Sequence, residues 1–507
     1  MSEIKNSLPI QISDIFKDYN KCKDNENNES YNKRWEINGW VREFRSQSEY
    51  AFISITDGST SQILQILCEK KRINNFETLE NLRGATVKVV GIVKESPAKG
   101  QDIEMLCESI ESLGMITDKN SIILAKNVQL DTLRGYQHLR TRFRSFNYIY
   151  KIRSELLKHI HEFFNENGFY NLDPNIITTS DCEGAGEVFT ITTININKTV
   201  EVVESNCYNR FIECDYKIGS LKNDNFYQDD FFEKQAYLTV SSQLQLEALC
   251  AGLSRVYTLN PSFRAEKSKT KRHLGCFTHL EWEIAFIDIH QLMDFSENLI
   301  KSIIMKTLKS CEYEYNELNK YISKGIIDKL RNVIENLFER ITYDKAIELI
   351  EENKNMIIKK FNKEMTIKDI PKWGDDLGSY CERYICDEIY KKPVLVYNYP
   401  KDLKSFYMKE NDDKKTCQSC DCLMPYLGEL IGSSIREDNY DKLVYIMEKR
   451  DMDKTKLDWY LDLRKNSTFP HGGAGLGFDR LVNFCSLMDG NIRDVVPFPV
   501  AYQECNY

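Results

Sequence analysis

Arg264 and Glu266 stand two residues apart in PSFRAE, at the start of a loop, Ala265–Gly275, that carries Lys267, Lys269, Lys271, Arg272 and His273 against the single acid Glu266. Cations at this density suit a polyphosphate, because each offsets phosphate charge and donates hydrogen bonds. An arginine at the mouth of such a loop and a glutamate two residues on can divide the work. One grips a phosphate, and the other reads the edge of a base. On charge alone, a hairpin with a solvated basic tip fits the same residues.

The flanking pattern predicts what holds this loop. A short helix follows Ser241, a strand ends at Phe263-Arg264, and a return strand runs from Cys276 to Phe286. Upstream, EINGWVREFR, YAFISITDG, SQILQILCE, GATVKVVGIVK and DIEMLCESIESLG alternate and are split by turn signals such as Asp57-Gly58. Five such strands over 35–116 predict a small barrel of the OB type. Phe146, Ile149, Ile152, Leu156, Ile160 and Phe163 recur at helical spacing, with Gly168 as the stop. The strand after it contains Pro174, which cannot donate to a ladder and so belongs at an edge or bulge. In SDCEGAGE, residues 180–187, glycines permit close backbone approach, and Glu183 or Glu187 could receive an ammonium group. An exposed acidic loop is the plainer reading of the same run.

Residues 195–230 read as a polar, irregular insertion, and 288–391 as helix-rich. PVLVYNYP, LKSFYMKE and SCDCLMPYLGELIGSSIRE read as strands, and the last block as a helix starting near Gly475. Helices followed by antiparallel strands predict an α+β domain, not a doubly wound one. GxGxxG and GxxxxGK[ST] phosphate loops are absent. The expected division is a polar, loosely ordered leader over 1–34, the barrel over 35–116, a linker over 117–140 and a second domain over 141–507.

Composition narrows the class. The chain has 507 residues, with 68 basic and 77 acidic side chains and a net charge of −9, which argues against wholesale electrostatic binding of DNA. An RNA partner on local basic patches stays compatible. No run of 18 apolar residues predicts a membrane span. Glu3, Asp14, Asp18, Asp24, Glu26 and Glu29 do not suit a transit peptide. Sixteen scattered cysteines suit a reducing compartment, so the cytoplasm is expected. Cys417, Cys420 and Cys422 lack a second ligand pair of zinc-site spacing.

PSFRAE with RHLGCFTHLEWEIAF, HGGAGLGFDRLVNF at 471–484, and GFYNLDPNIITTSDCEGAGEVF at 168–189 resemble motifs 2, 3 and 1 of the class II aminoacyl-tRNA synthetases. The subclass is the aspartyl, asparaginyl and lysyl one, and the wording of motif 2 resembles the asparaginyl members. The resemblance implies an α+β fold: an N-terminal OB-type β-barrel, then a class II catalytic domain built on an antiparallel sheet flanked by helices. It implies ligation of asparagine to its tRNA through an adenylate, with ATP and Mg²⁺, by a homodimer. In such a reaction the substrate carboxylate attacks the α-phosphate and pyrophosphate leaves, so positioning and charge carry the catalysis.

By the same resemblance, Arg264 grips the α-phosphate and the substrate carboxylate, and Glu266 accepts from the adenine amine. Arg272 and His273 hold the outer phosphates, Phe277 stacks on adenine, and Arg480 binds the γ-phosphate. Asp421 and Glu429 hold Mg²⁺, and Glu183 receives the amino group. Arg45, Phe52 and Gln65 contact the anticodon, although alternation alone favours Phe52 in the barrel core. Pro174 lies at the dimer interface.

Aspartyl members of the subclass place a lysine after SxQL to pair with the substrate carboxylate. Here Gln245, Leu246 and Glu247 follow SSQL. Glu247 is expected to accept from the carboxamide NH₂ and repel aspartate, with Arg436 donating to the carboxamide oxygen. An aspartyl or non-discriminating enzyme and a catalytically silent tRNA-binding relative are the alternatives. Two departures from the family pattern stand out: Asn466-Ser467 after Arg464-Lys465, and Ile435 in place of glutamine.

Overall fold

The computed structural model describes residues 8–24, 31–74, 76–98, 100–180, 187–194, 226–362 and 364–506. Contacts divide the chain into two compact units, Met1–Tyr148 and Ile149–Tyr507.

In the first unit, β1 (Asn32–Ser46), β2 (Tyr50–Thr56), β3 (Leu64–Glu69), β4 (Thr86–Glu95) and β5 (Ile103–Gly114) close into a barrel of order β1-β2-β3-β5-β4. Alternation drives closure. Ala51, Ile53, Ile55, Leu64, Ile66, Val87, Val89, Ile103 and Met105 are fully buried, and the residues between them face outward. At Gly91 a Cβ would lie 2.4 Å from the Leu106 carbonyl, where the β4–β5 register shifts.

The expected loose leader does not hold for Ile12–Asp24, which is a helix. Ile12, Ile15, Phe16 and Tyr19 recur at i, i+3, i+4 and i+7 and pack into the barrel core. The polar run around them masked this stripe. Asp57 accepts the Ile12 amide at 2.7 Å and the Ser59 hydroxyl accepts the Ser13 amide at 3.0 Å, so the Asp57-Gly58 turn satisfies the helix start. Residues 117–140 contain short turns of helix, Ile122–Leu124, Leu130–Leu133 and Arg134–Tyr136.

The second unit holds β6 (Tyr170–Asn171), β7 (Ile177–Thr178), β8 (Thr190–Ile191), β9 (Ala236–Leu238), β10 (Arg255–Phe263), β11 (Cys276–Ala285), β12 (Glu339–Thr342), β13 (Val394–Tyr397), β14 (Ser419–Met424), β15 (Gly428–Ile435) and β16 (His471–Gly477). Eight of them form one sheet, β12-β13-β14-β15-β16-β11-β10-β6, and β7-β9-β8 form a small one. The large sheet is antiparallel through its centre, with parallel pairs only at its ends, β12 with β13 and β10 with β6. Trp282 of β11 is buried in an aromatic cluster in which Phe164 stacks on Tyr257 at 4.3 Å. This cluster fixes the hairpin strands against helix Arg144–Glu166.

Three expected elements differ. LKSFYMKE is not a strand: a short turn of helix, Lys401–Leu403, leads into an irregular stretch whose Met408 bridges Arg436. Pro174 sits between β6 and β7, outside either strand, where its carbonyl accepts from Asn260 at 2.9 Å. The glycine-rich run is the central strand β16, and the helix begins at Phe478, not near Gly475. Packing decides this. A Cβ at Gly473 would lie 2.0 Å from Glu283 Oε2, and one at Gly475 would lie 2.5 Å from His279 Nε2. The glycines let side chains of β11 lie flat across β16.

Candidate active site

Two cavities open on the central strands. The first, about 150 Å³, is lined by Arg264, Glu266, Arg272, His273, Phe277 and Arg480, together with His279, Glu429 and Gly475. All six residues expected to meet the nucleotide therefore converge, from the β10–β11 hairpin and from helix Phe478–Ser486. The Arg264 guanidinium lies 5.7 Å from the Phe277 ring centre. The basic loop is tied down at its middle: Ile492 N donates to the Lys271 carbonyl at 3.0 Å and Arg493 Nη1 to the Thr270 carbonyl at 3.1 Å. Burial holds Arg272 and His273 below their ordinary pKa values, and the neighbouring guanidiniums push His273 the same way while Glu266 opposes.

The second cavity, about 380 Å³, is lined by Ser241, Gln243, Glu281, Lys404, Ser434 and Arg436 among others. Arg264, His279, Glu429 and Gly475 line both cavities. The wall is built from β11, whose His279, Glu281 and Glu283 stand at i, i+2 and i+4 on one face. Glu281 accepts from the Ser241 hydroxyl and, at 2.9 Å, from the Ser242 amide, which pins the helix Gln243–Leu253 to the sheet. Sequence reading passed over these three residues. Their signal was a polar face on a strand otherwise apolar enough to be central.

Arg436 lines the second cavity, and Glu283 grips it from beneath, accepting from Nε at 3.0 Å and from Nη2 at 2.8 Å. Glu247 corrects the expectation placed on it. It lies 3.8 Å from Arg436 Nε but does not line the cavity, and its side chain is fully buried. Its Oε2 accepts from Arg464 at 2.8 Å and Tyr460 at 2.7 Å and lies 3.1 Å from His471 Nε2; its Oε1 accepts from Gln243 at 3.1 Å. Burial works to raise the Glu247 pKa, and Arg464, His471 and Arg436 outweigh it, holding the carboxyl below the usual range. Its hydrogen bonds run to the protein, and of the groups around it Gln243 and Arg436 line the cavity.

Asp421 and Glu429 do converge. A Cβ at Gly432 would lie 3.2 Å from Glu429 Oε1 and 3.8 Å from Asp421 Oδ1. Lys404 donates to Asp421 Oδ2 at 2.6 Å. Burial works to lower Lys404, and Asp421 outweighs it. A third carboxyl, Glu382, is pushed up to about 8 by burial, with Glu429 and Asp421 adding to it. No group of three or more His, Cys, Asp or Glu is assembled as a metal site among the described residues. Two hard oxygen donors facing one space do fit a Mg²⁺ that takes its other ligands from phosphate and water.

Glu183 lies outside the described residues. Glu187 is exposed, and its carbonyl accepts the Ala265 amide at 2.6 Å, next to Arg264. In the barrel, Arg45, Phe52 and Gln65 share the outer face of β1, β2 and β3. Arg45 pairs with Phe52, Phe52 with Leu67, and Gln65 with Ser54. Phe52 is half-buried between the fully buried Ala51 and Ile53, so it points away from the core. No helix among the described residues is long and apolar enough to cross a membrane.

A family model for class II tRNA synthetases (D, K and N) matches residues 213–502, and one for an OB-fold nucleic acid binding domain matches 35–113. The asparagine–tRNA ligase of Borrelia garinii subsp. bavariensis is 39% identical over 483 residues, 95% of this chain and 98% of its own. That of Treponema denticola is 41% identical over 470 residues, 92% of this chain and 95% of its own. The crystal structure of asparaginyl-tRNA synthetase from Pyrococcus horikoshii complexed with asparaginyl-adenylate is similar with a TM-score of 0.75 at 31% identity, over 92% of this chain and 95% of that one.

Proposed function

This chain belongs to the class II tRNA synthetases of the D, K and N group, and from that premise we propose that it activates asparagine with ATP and passes the asparaginyl group to its tRNA. The observation that carries the reading is the shared wall: Arg264 lines both cavities, so one guanidinium meets the α-phosphate and the attacking carboxylate together. ATP takes the first cavity, with adenine on Phe277, its amine on Glu266, and its outer phosphates on Arg272, His273 and Arg480. Asparagine takes the second, its amide oxygen on Arg436. Asp421 and Glu429 would hold Mg²⁺, which supplies charge neutralisation at the phosphates. The remaining work is this chain's own: Arg264 draws the two reactants into line and stabilises charge as pyrophosphate departs.

Asparagine is favoured over aspartate by the charge count around Arg436. Glu283 holds it bidentately and Glu247 stands 3.8 Å away, so it has no spare charge for a substrate carboxylate. A neutral amide can still accept from its remaining N–H groups. ATP–pyrophosphate exchange with asparagine against aspartate tests the reading, and equal rates would refute it. Arg264→Ala should lower kcat/KM by about 10²–10³.

The same reading puts the anticodon on Arg45, Phe52 and Gln65. Tyr170 and Ile177, 56% and 44% exposed on either side of Pro174, support a homodimer through this edge. The described cysteines are free and mostly buried, which supports a cytoplasmic location.

A further inference from the structure

The two carboxylates read as cation ligands sit on either side of one turn. Asp421 is on β14, Glu429 is on β15, and Pro425–Leu427 joins the strands. The turn has little freedom: Tyr426 and Gly428 both have positive φ, 66° and 84°. One helical element grips it twice. Helix Ser379–Tyr384 runs into a π-helical turn, Ile385–Tyr390. Asp387 from the π-turn accepts the Tyr426 amide at 2.7 Å, and Glu382 from the helix accepts the Glu429 amide at 3.2 Å.

Glu382 also reaches toward the phosphate side. A Cβ on Gly428 would lie 2.8 Å from Glu382 Oε2 and 3.5 Å from Arg272 Nη1, so carboxylate and guanidinium crowd the same glycine. The Glu382 carboxyl, which burial, Glu429 and Asp421 push up to about 8, stands close to Arg272, a residue that lines the first cavity. A carboxyl kept in such a place is explained when its hydrogen bond to the Glu429 amide orients the groups around it.

We propose that Glu382 is a positioning residue, which aims Glu429 at the divalent cation and holds Arg272 toward the outer phosphates. The proposal rests on the reading of Asp421 and Glu429 as cation ligands. It acts through geometry, so it predicts an effect on cation and nucleotide binding and none on asparagine binding.

The test is calorimetric titration of Mg²⁺ into the full-length protein saturated with a non-hydrolysable ATP analogue, beside pyrophosphate exchange. Glu382→Ala should weaken Mg²⁺ binding by about 10–100-fold and leave KM for asparagine unchanged. Glu382→Gln, which keeps an acceptor for the Glu429 amide, should fall between it and the parent, and it serves if the alanine variant does not fold. Asp387→Asn should leave the Mg²⁺ midpoint near that of the parent. A Glu382→Ala midpoint within twofold of the parent overturns the proposal, and so does an equal shift in Asp387→Asn, which would assign the effect to turn rigidity. Glu429→Gln separates the layers. If it too leaves Mg²⁺ binding intact, the cation reading itself falls, and this proposal falls with it.

Discussion

Gln243 donates from Nε2 to Oε1 of Glu247 at 3.1 Å, and only the amide of the two reaches the cavity. The carboxylate behind it compensates Arg464 and stands beside Arg436. Removing it should act on stability and on substrate choice together. Glu247→Ala leaves Arg464 buried and unpaired, and should cost about 3–5 kcal/mol in urea unfolding. In pyrophosphate exchange the preference for asparagine over aspartate should drop at least about tenfold, or 1.4 kcal/mol. An unchanged preference in a variant that folds would detach Glu247 from specificity.

Gly473 carries a second prediction. An added Cβ would lie 2.0 Å from Glu283 Oε2 and 2.2 Å from the Trp282 carbonyl, and backbone cannot give way cheaply. Gly473→Ala should destabilise by about 1–3 kcal/mol or more and raise KM for asparagine, because Glu283 would lose its hold on Arg436. Gly252→Ala is the contrast. It lies in helix Gln243–Leu253 with nothing within 4 Å, and should stabilise by about 0.5–1 kcal/mol. Thermal unfolding of the pair decides whether steric contact or glycine loss is at issue.

His279 makes stability depend on pH. Burial holds its imidazole below the ordinary range; Arg264 and Arg480 push the same way, and Glu281, at 3.4 Å, opposes. Below about pH 6.5 the unfolded chain therefore binds a proton that the folded chain still refuses. Stability should fall as pH drops from that point toward the lower folded-state value, and should be insensitive to this group above it. Urea midpoints measured across pH 5–8 should show the slope, and His279→Gln should flatten it.

In the barrel, Phe52→Ala should weaken tRNA binding by about 1–3 kcal/mol, the worth of one stacked base. Arg45→Ala should reduce the salt slope of binding by about one. Neither should change pyrophosphate exchange without tRNA. A loss of exchange in either variant would point to misfolding instead of a lost anticodon contact.

Much of this was legible in one dimension. Alternation fixed all five barrel strands, because a half-buried strand must repeat every second residue. The stripe from Phe146 to Phe163 fixed a long helix, and PSFRAE with its basic loop marked the β10–β11 hairpin. The helix Ile12–Asp24 was missed because its four apolar residues sit in a polar run, and only the assembled barrel core gives them something to pack against. The strand β16 was missed because glycine has no strand propensity of its own; it is a strand because β11 and β15 flank it.

The order of elements, the kinds of residue in the site and the family follow from the chain itself, since local patterns and motif spacing are written along it. Which residue faces the substrate does not. Glu247, Glu283 and Arg436 come from three separate segments; Glu283 accepts from Arg436 while Glu247 accepts from Arg464, Tyr460 and Gln243, and that division exists only once the sheet is assembled. The fold decided it by burying both carboxylates, Glu283 against Arg436 and Glu247 against Arg464, so that Arg436 lines the cavity and Glu247 does not.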